Sequence, residues 1–221
     1  MAPHDALPLP EELLLLCADP ARGRFLSPSL HLNEVIAGAV LAELVLNGAI
    51  SVEVHRFGGA RIAGYQPFGA FDEVSAGVLA RLAAKGKSRF RPWLPEAVQW
   101  IPERPGYRFY LDRLVAQGYY AVEEKRFLGL PRKRYPAQRP DLARQISDRV
   151  AATLSAPDGG TARPTAERDR QLAGLIDVAG LDRRRYPGRD GAPIRRAAGR
   201  LARDLPVCRA VRHVIERKSG D

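Results

Sequence analysis

The chain has 221 residues, 45% of them hydrophobic and 27% charged, a composition that builds a folded core and excludes intrinsic disorder. Thirty-five lysines and arginines face 25 aspartates and glutamates, a formal charge of +10 that is spread unevenly, with −5 over residues 1–80, +9 over 81–149 and +7 over 161–221. The asymmetry points to a polyanionic partner, whether nucleic acid, an anionic membrane or an acidic protein, and the longest apolar runs are too short or too interrupted to span a bilayer. Met1–Pro10 lacks the cations and apolar stretch of a signal peptide, so the expected compartment is cytoplasmic.

Leu9–Ala18 reads as a short helix, with Pro10, Glu11 and Glu12 suited to its first turn and Asp19-Pro20 ending it. Asn33–Asn47 is the clearest helix, capped by Asn33, apolar on nearly every side and stopped by Gly48, which predicts a central, buried position. Ile50–Val54 alternates as a strand, Gly58-Gly59 turns the chain and Arg61–Ala63 returns it. Helices follow at Phe71–Lys85, with Asp72 and Glu73 in the first turn, at Ala97–Trp100, and at Arg108–Gln117, which Gly118 ends. Tyr119–Glu124 alternates as a strand, Arg126–Leu130 returns, and Pro131–Pro136 reads as a basic loop. Asp141–Leu154 is amphipathic, Ser155–Thr165 is a linker, Thr165–Gly180 is helical, and Ile194–Lys218 forms basic helices broken near Pro206. The expectation is a mainly α fold: a compact helical single domain over residues 8–218 with short β-hairpins, and flexible ends at 1–7 and 219–221. Leu41–Gly48 and Leu111–Gly118 share a helix, glycine, hairpin pattern, and Leu172–Gly180 echoes its helix end with one extra residue.

No constellation for catalysis stands out. His4, His31, His55 and His213 have no second ligand at metal spacing, Cys17 and Cys208 form no CxxC pair, and neither a nucleophile elbow nor a phosphate-binding glycine loop is present. The adjacent carboxylates Asp72-Glu73 and Glu123-Glu124 diverge on a helix or strand and make no acid–base pair. No catalytic residue, metal or cofactor is expected.

The order of several segments resembles a known family. Glu11–Leu16 with Asp19-Pro20 and Gly23-Arg24 comes first, then Ala37–Ile50, then Pro67-Phe68-Gly69 with Asp72-Glu73-Val74, then Trp93-Leu94. Leu114–Gly118 with Glu123, Phe127–Leu130 and Arg134-Tyr135-Pro136 complete the run. Over roughly residues 8–215 the chain resembles a bacterial member of the Golgi phosphoprotein 3-like family. The resemblance implies a helical, non-enzymatic peripheral membrane protein. Eukaryotic members bind phosphatidylinositol 4-phosphate, retain membrane enzymes by their cytosolic tails, and use a hydrophobic hairpin for membrane contact and self-association. Their headgroup site combines a tryptophan and three arginines. Those positions fall here on Pro28, Ala37, Arg104 and Tyr107, with Arg108 adjacent, so one ligand of four is kept and the implied contact is with clustered negative charge.

The resulting expectation is a peripheral adaptor on the inner face of the membrane that binds anionic, phosphoinositide-like headgroups. Arg104, Arg108 and Arg24 are the expected headgroup contacts. Lys125, Arg126, Phe127, Leu128, Leu130, Arg132, Lys133 and Arg134 form the expected apolar-tipped, cation-flanked hairpin. Expected partners are anionic membrane lipids, with cytosolic tails of membrane proteins and a second copy of the chain as further candidates. Nucleic-acid binding through winged-helix-like units and the arginines Arg183–Arg185, Arg195, Arg196 and Arg200 is the alternative. Leu111–Gln117 lacks the Asn, Gln and Arg row of a base-reading helix, and no nucleic acid is expected.

Overall fold

The computed structural model describes residues 7–19, 24–25, 31–55, 59–85, 91–101, 106–127, 130–156 and 165–220. Among them are ten helices and three two-stranded antiparallel sheets, a mainly α fold. The centre is α2 (Leu32–Leu46), buried from Glu34 to Leu44 because its sequence offers no polar face. Around it pack α1 (Leu9–Cys17), α4 (Leu94–Trp100), α7 (Ala166–Val178) and α10 (Pro206–Gly220). The approach of α10 and α7 is close at Gly38, where a Cβ would lie 2.4 Å from Val211 Cγ2 and 3.1 Å from Leu175 Cδ2. Further out, α3 (Glu73–Lys85) leans on α2, α5 (Tyr107–Ala116) and α6 (Pro140–Ser155) cover α1, and α9 (Ala192–Asp204) packs on α7. The short α8 (Asp182–Arg185) precedes α9, and Leu205 separates α9 from α10, beside the expected break at Pro206.

Local chemistry accounts for the ends of these helices and corrects two expectations. Asn33 does not cap α2; His31 holds the cap position, and Asn33 Oδ1 accepts the Tyr107 N–H at 3.1 Å, tying the start of α5 to the start of α2. Asp72 lies just outside α3 and not in its first turn: its Oδ1 accepts the Ser75 N–H at 2.8 Å while Ser75 Oγ accepts the Asp72 N–H at 2.9 Å, a reciprocal cap. The expected glycine stops are present. After α5, Gly118 adopts φ +76°, Tyr119 N–H reaches the Leu114 carbonyl at 2.9 Å and Gly118 N–H reaches Val115 at 3.0 Å, the pairing of a left-handed C-terminal turn. Gly180 repeats it after α7, and the chain then enters α8.

Three hairpins connect the helices. β1 (Ala18–Asp19) pairs with β2 (Arg24–Phe25), β3 (Ile50–Val54) with β4 (Ala60–Tyr65), and β5 (Glu123–Phe127) with β6 (Leu130–Arg134). The third departs from expectation. The strand begins at Glu123 and not Tyr119, and Pro131–Arg134, expected as loop, belongs to the returning strand. Tyr120 joins only through an isolated bridge to Ala137. Pro131 is tolerated because a two-stranded ribbon consists of edge strands. The expected turn at Gly58 and the centre of the expected 155–165 linker lie outside the described residues.

The acidic N-terminal elements are bound to the basic C-terminal ones. All nine residues of α1 are buried, Glu11 and Glu12 included, so these carboxylates do more than face the helix dipole. Arg149 Nη2 contacts both Glu12 oxygens at 3.0 Å and its Nε contacts Asp169 Oδ1 at 2.6 Å. Arg168 reaches Glu12 at 3.3 Å and Glu43 at 3.0 Å, and also donates to the Leu7 carbonyl. Glu43 Oε2 accepts the Leu9 N–H at 2.7 Å, Arg113 lies 3.0 Å from Glu11, and Lys218 lies 2.6 Å from Glu34. Buried charges persist when each has a partner in this way.

Candidate functional site

The β5–β6 register arranges charge along the hairpin. Glu123 opposes Arg134 and Glu124 opposes Lys133 at its foot; Lys125 opposes Arg132, Arg126 opposes Pro131, and Phe127 opposes Leu130 at its tip. The foot rungs thus neutralise themselves, with Lys133 and Glu124 4.0 Å apart and both exposed. The next rung opposes two cations, an arrangement that destabilises an isolated ribbon. Among the described elements each of these strands has substantial contact only with the other. The foot is anchored: Ala121 N–H donates to Pro136 at 3.0 Å, Gln138 N–H to Tyr119 at 2.9 Å, and the Arg139 guanidinium lies 5.9 Å from the Tyr119 ring.

Arg108 is exposed near the start of α5 and close to this foot. Tyr135, directly after β6, interacts with Arg108, Asp112 and Tyr107 of α5; burial pushes its phenol up, with Arg108 opposing and the other two reinforcing. The fold therefore brings together Arg108, Arg134 and the hairpin. Arg104 and Leu128 lie outside the described residues, as do the side chains of Arg24, Lys125, Arg126, Phe127, Leu130 and Arg132. Arg24 falls in β2, opposite Asp19 in the register. Ala37, where the family resemblance implies a headgroup ligand position, is 1% exposed inside α2.

A second concavity was not anticipated from the sequence. A cleft of about 770 Å³ lies between Trp93 and Pro95 at the start of α4 and Pro206, Arg209, Ala210, His213 and Arg217 of α10. Trp93 is 39% exposed, and the Arg61 guanidinium lies 4.0 Å from its ring centroid. The sequence signal was the four-residue spacing of Arg209, His213 and Arg217, which places them along one helical face.

Burial pushes the thiols of Cys17 and Cys208 up to about 12, so neither is a thiolate at neutral pH. Among the described residues no group of three or more His, Cys, Asp or Glu is placed to hold a metal ion, and no helix is long and apolar enough to cross a membrane. No curated protein matches the chain. The family model described as Golgi phosphoprotein 3 (GPP34) matches residues 9–217, which takes in the buried α1–α2 pair, the α5–hairpin unit and α10. The chain belongs to the Golgi phosphoprotein 3 family.

Proposed function

We propose that the protein is a non-enzymatic peripheral adaptor that docks on the anionic cytoplasmic leaflet through the β5–β6 hairpin and the neighbouring basic surface of α5. The observation that carries this reading is the hairpin register: an apolar Phe127/Leu130 rung at the tip, a Lys125/Arg132 rung behind it, and acid–base rungs at the foot. Apolar residues ahead of cations match the layering of an interface, acyl chains first and phosphates behind. An anionic surface also relieves the opposed Lys125 and Arg132. At about 1 kcal/mol per cation near such a surface, Lys125, Arg126 and Arg132 together contribute about 3 kcal/mol. Membership of the Golgi phosphoprotein 3 family supports the same role, with tails of membrane proteins as clients.

The test is co-sedimentation with anionic and neutral vesicles, with duplex DNA as competitor, for the parent chain and for Phe127→Ser with Leu128→Ser. The double substitution is expected to weaken binding to anionic vesicles and leave the melting temperature nearly unchanged. If both side chains belong to the core, it costs more than about 4 kcal/mol instead. A large fall in melting temperature with normal vesicle binding by the remaining folded protein overturns the reading.

A further inference from the structure

The cleft between α4 and α10 has two chemically distinct walls. On α10, Arg209, His213 and Arg217 succeed one another at four-residue intervals, about 6 Å per step along the axis. Arg209 Nε is buried with no hydrogen-bond acceptor, and none of the three residues forms an ion pair among the described residues. Glu96, the carboxylate on the cleft wall, is already engaged by Lys85. Opposite stands Trp93, which forms a backbone bridge with Arg61. Its ring lies against Gly59 so closely that a Cβ there would come within 2.4 Å of Trp93 Cζ3. Arg61 Nε and His55 Nε2, both near the indole, are likewise buried without hydrogen-bond partners. A half-exposed aromatic plate, held in place by its backbone, thus faces two arginines and a histidine with no anion of their own.

A buried donor without an acceptor is costly, and cations along a low-dielectric cleft concentrate positive potential there. An occupant that satisfies both walls presents several anionic oxygens to α10 and a flat or apolar body to Trp93. A single carboxylate is satisfied by one arginine, whereas a phosphate offers oxygens to two or three donors. A volume of about 770 Å³ accommodates much more than inorganic phosphate and suits a ligand of ordinary organic size. We propose that this cleft is a binding site for a phosphate ester with a planar or apolar body, its phosphate held by Arg209, His213 and Arg217 and its body lying on Trp93. None of these residues coincides with Pro28, Ala37, Arg104 or Tyr107, and the site does not depend on membrane docking by the hairpin.

The test is calorimetric titration of the full chain with adenosine 5′-monophosphate and with adenosine, together with co-sedimentation with phosphatidylcholine vesicles with and without phosphatidic acid. Saturable nucleotide binding, at least about tenfold weaker for adenosine and for the variant Arg209→Gln with Arg217→Gln, assigns the cleft to a soluble ester. Binding to phosphatidic acid vesicles that is lost in that variant but kept in the hairpin variant assigns it to a lipid headgroup. Arg217→Gln alone, at an exposed position near the end of α10, reports the same contact if the double variant melts early, and Trp93→Leu is expected to weaken the nucleotide as well. Absence of binding in both arms, or equal affinity in the arginine variants, overturns the proposal.

Discussion

Glu11 is fully buried, and neither of its carboxyl oxygens receives a hydrogen bond, although Arg113 Nε lies 3.0 Å from one of them. Burial pushes its pKa above the ordinary 4.5, Arg113 pulls the other way, and Asp72 reinforces the rise. Between the ordinary carboxylate range and its raised folded pKa, the folded chain therefore keeps a proton that the unfolded chain has already released. The stability this confers is complete below the ordinary carboxylate range and is lost as pH rises through the folded pKa. Glu11→Gln carries no such proton. Its stability relative to the parent chain is expected to improve steadily as pH rises from about 4.3 towards neutrality. Urea unfolding of both chains from pH 4 to 7 checks this, and parallel profiles reject it. The helical position of Glu11 was legible in the sequence, as was its place in the first turn. Its burial was not, because Arg113 lies 102 residues further along the chain and no local spacing announces such a partner. The same holds for Glu12 with Arg149 and Arg168.

At the scale of elements, glycine gave the firmest sequence signals and proline the least reliable. Gly118 predicts a helix stop and forms one, at φ +76°. Pro131 predicts a loop but stands in a strand, because edge pairing excuses a missing N–H. The ends of the hairpin were misplaced for a related reason: with charged residues on both faces and no core-facing alternation, the segment carries no period that marks its register. Gly118 and Gly77 separate conformation from packing, since a Cβ at either position meets nothing within 4 Å. Gly118 has a left-handed backbone, so Gly118→Ala is expected to cost about 1–2 kcal/mol. Gly77 lies exposed inside α3 with an ordinary helical backbone, so Gly77→Ala is expected to add about 0.5–1 kcal/mol. Chemical denaturation of the two variants should give opposite signs. Equal signs would mean that helix ends in this fold are not set by backbone conformation.

At the scale of the whole molecule, the uneven charge that pointed to a polyanionic partner serves partly inside the fold. Glu11, Glu12, Glu34 and Glu43 of the acidic first third are buried, and Arg113, Arg149, Arg168 and Lys218 of the basic remainder meet them. These pairs cancel, so the formal charge of +10 is unchanged and resides in the other cations, among them Arg108 and Arg139 near the hairpin foot. Exposed charges interact through solvent and are screened within about 10 Å at 0.1 M salt and about 3 Å at 1 M. Binding to anionic vesicles is therefore expected to fall steeply with salt, by as much as about a hundredfold if three hairpin cations lose about 1 kcal/mol each. If binding rests on this mechanism, the lipid is expected to be interchangeable. A specific headgroup pocket needs directed donors, yet of the positions that the family resemblance implies, Ala37 is buried and Tyr107 carries no guanidinium. Vesicles with phosphatidylinositol 4-phosphate and vesicles with phosphatidylserine at matched surface charge are expected to bind nearly equally, with parallel salt dependence. Titration of both at two salt concentrations checks this. A strong preference for the phosphoinositide that persists at high salt would mean that Arg108 and its neighbours form a directed site, and equal binding to neutral vesicles would remove charge from the mechanism altogether.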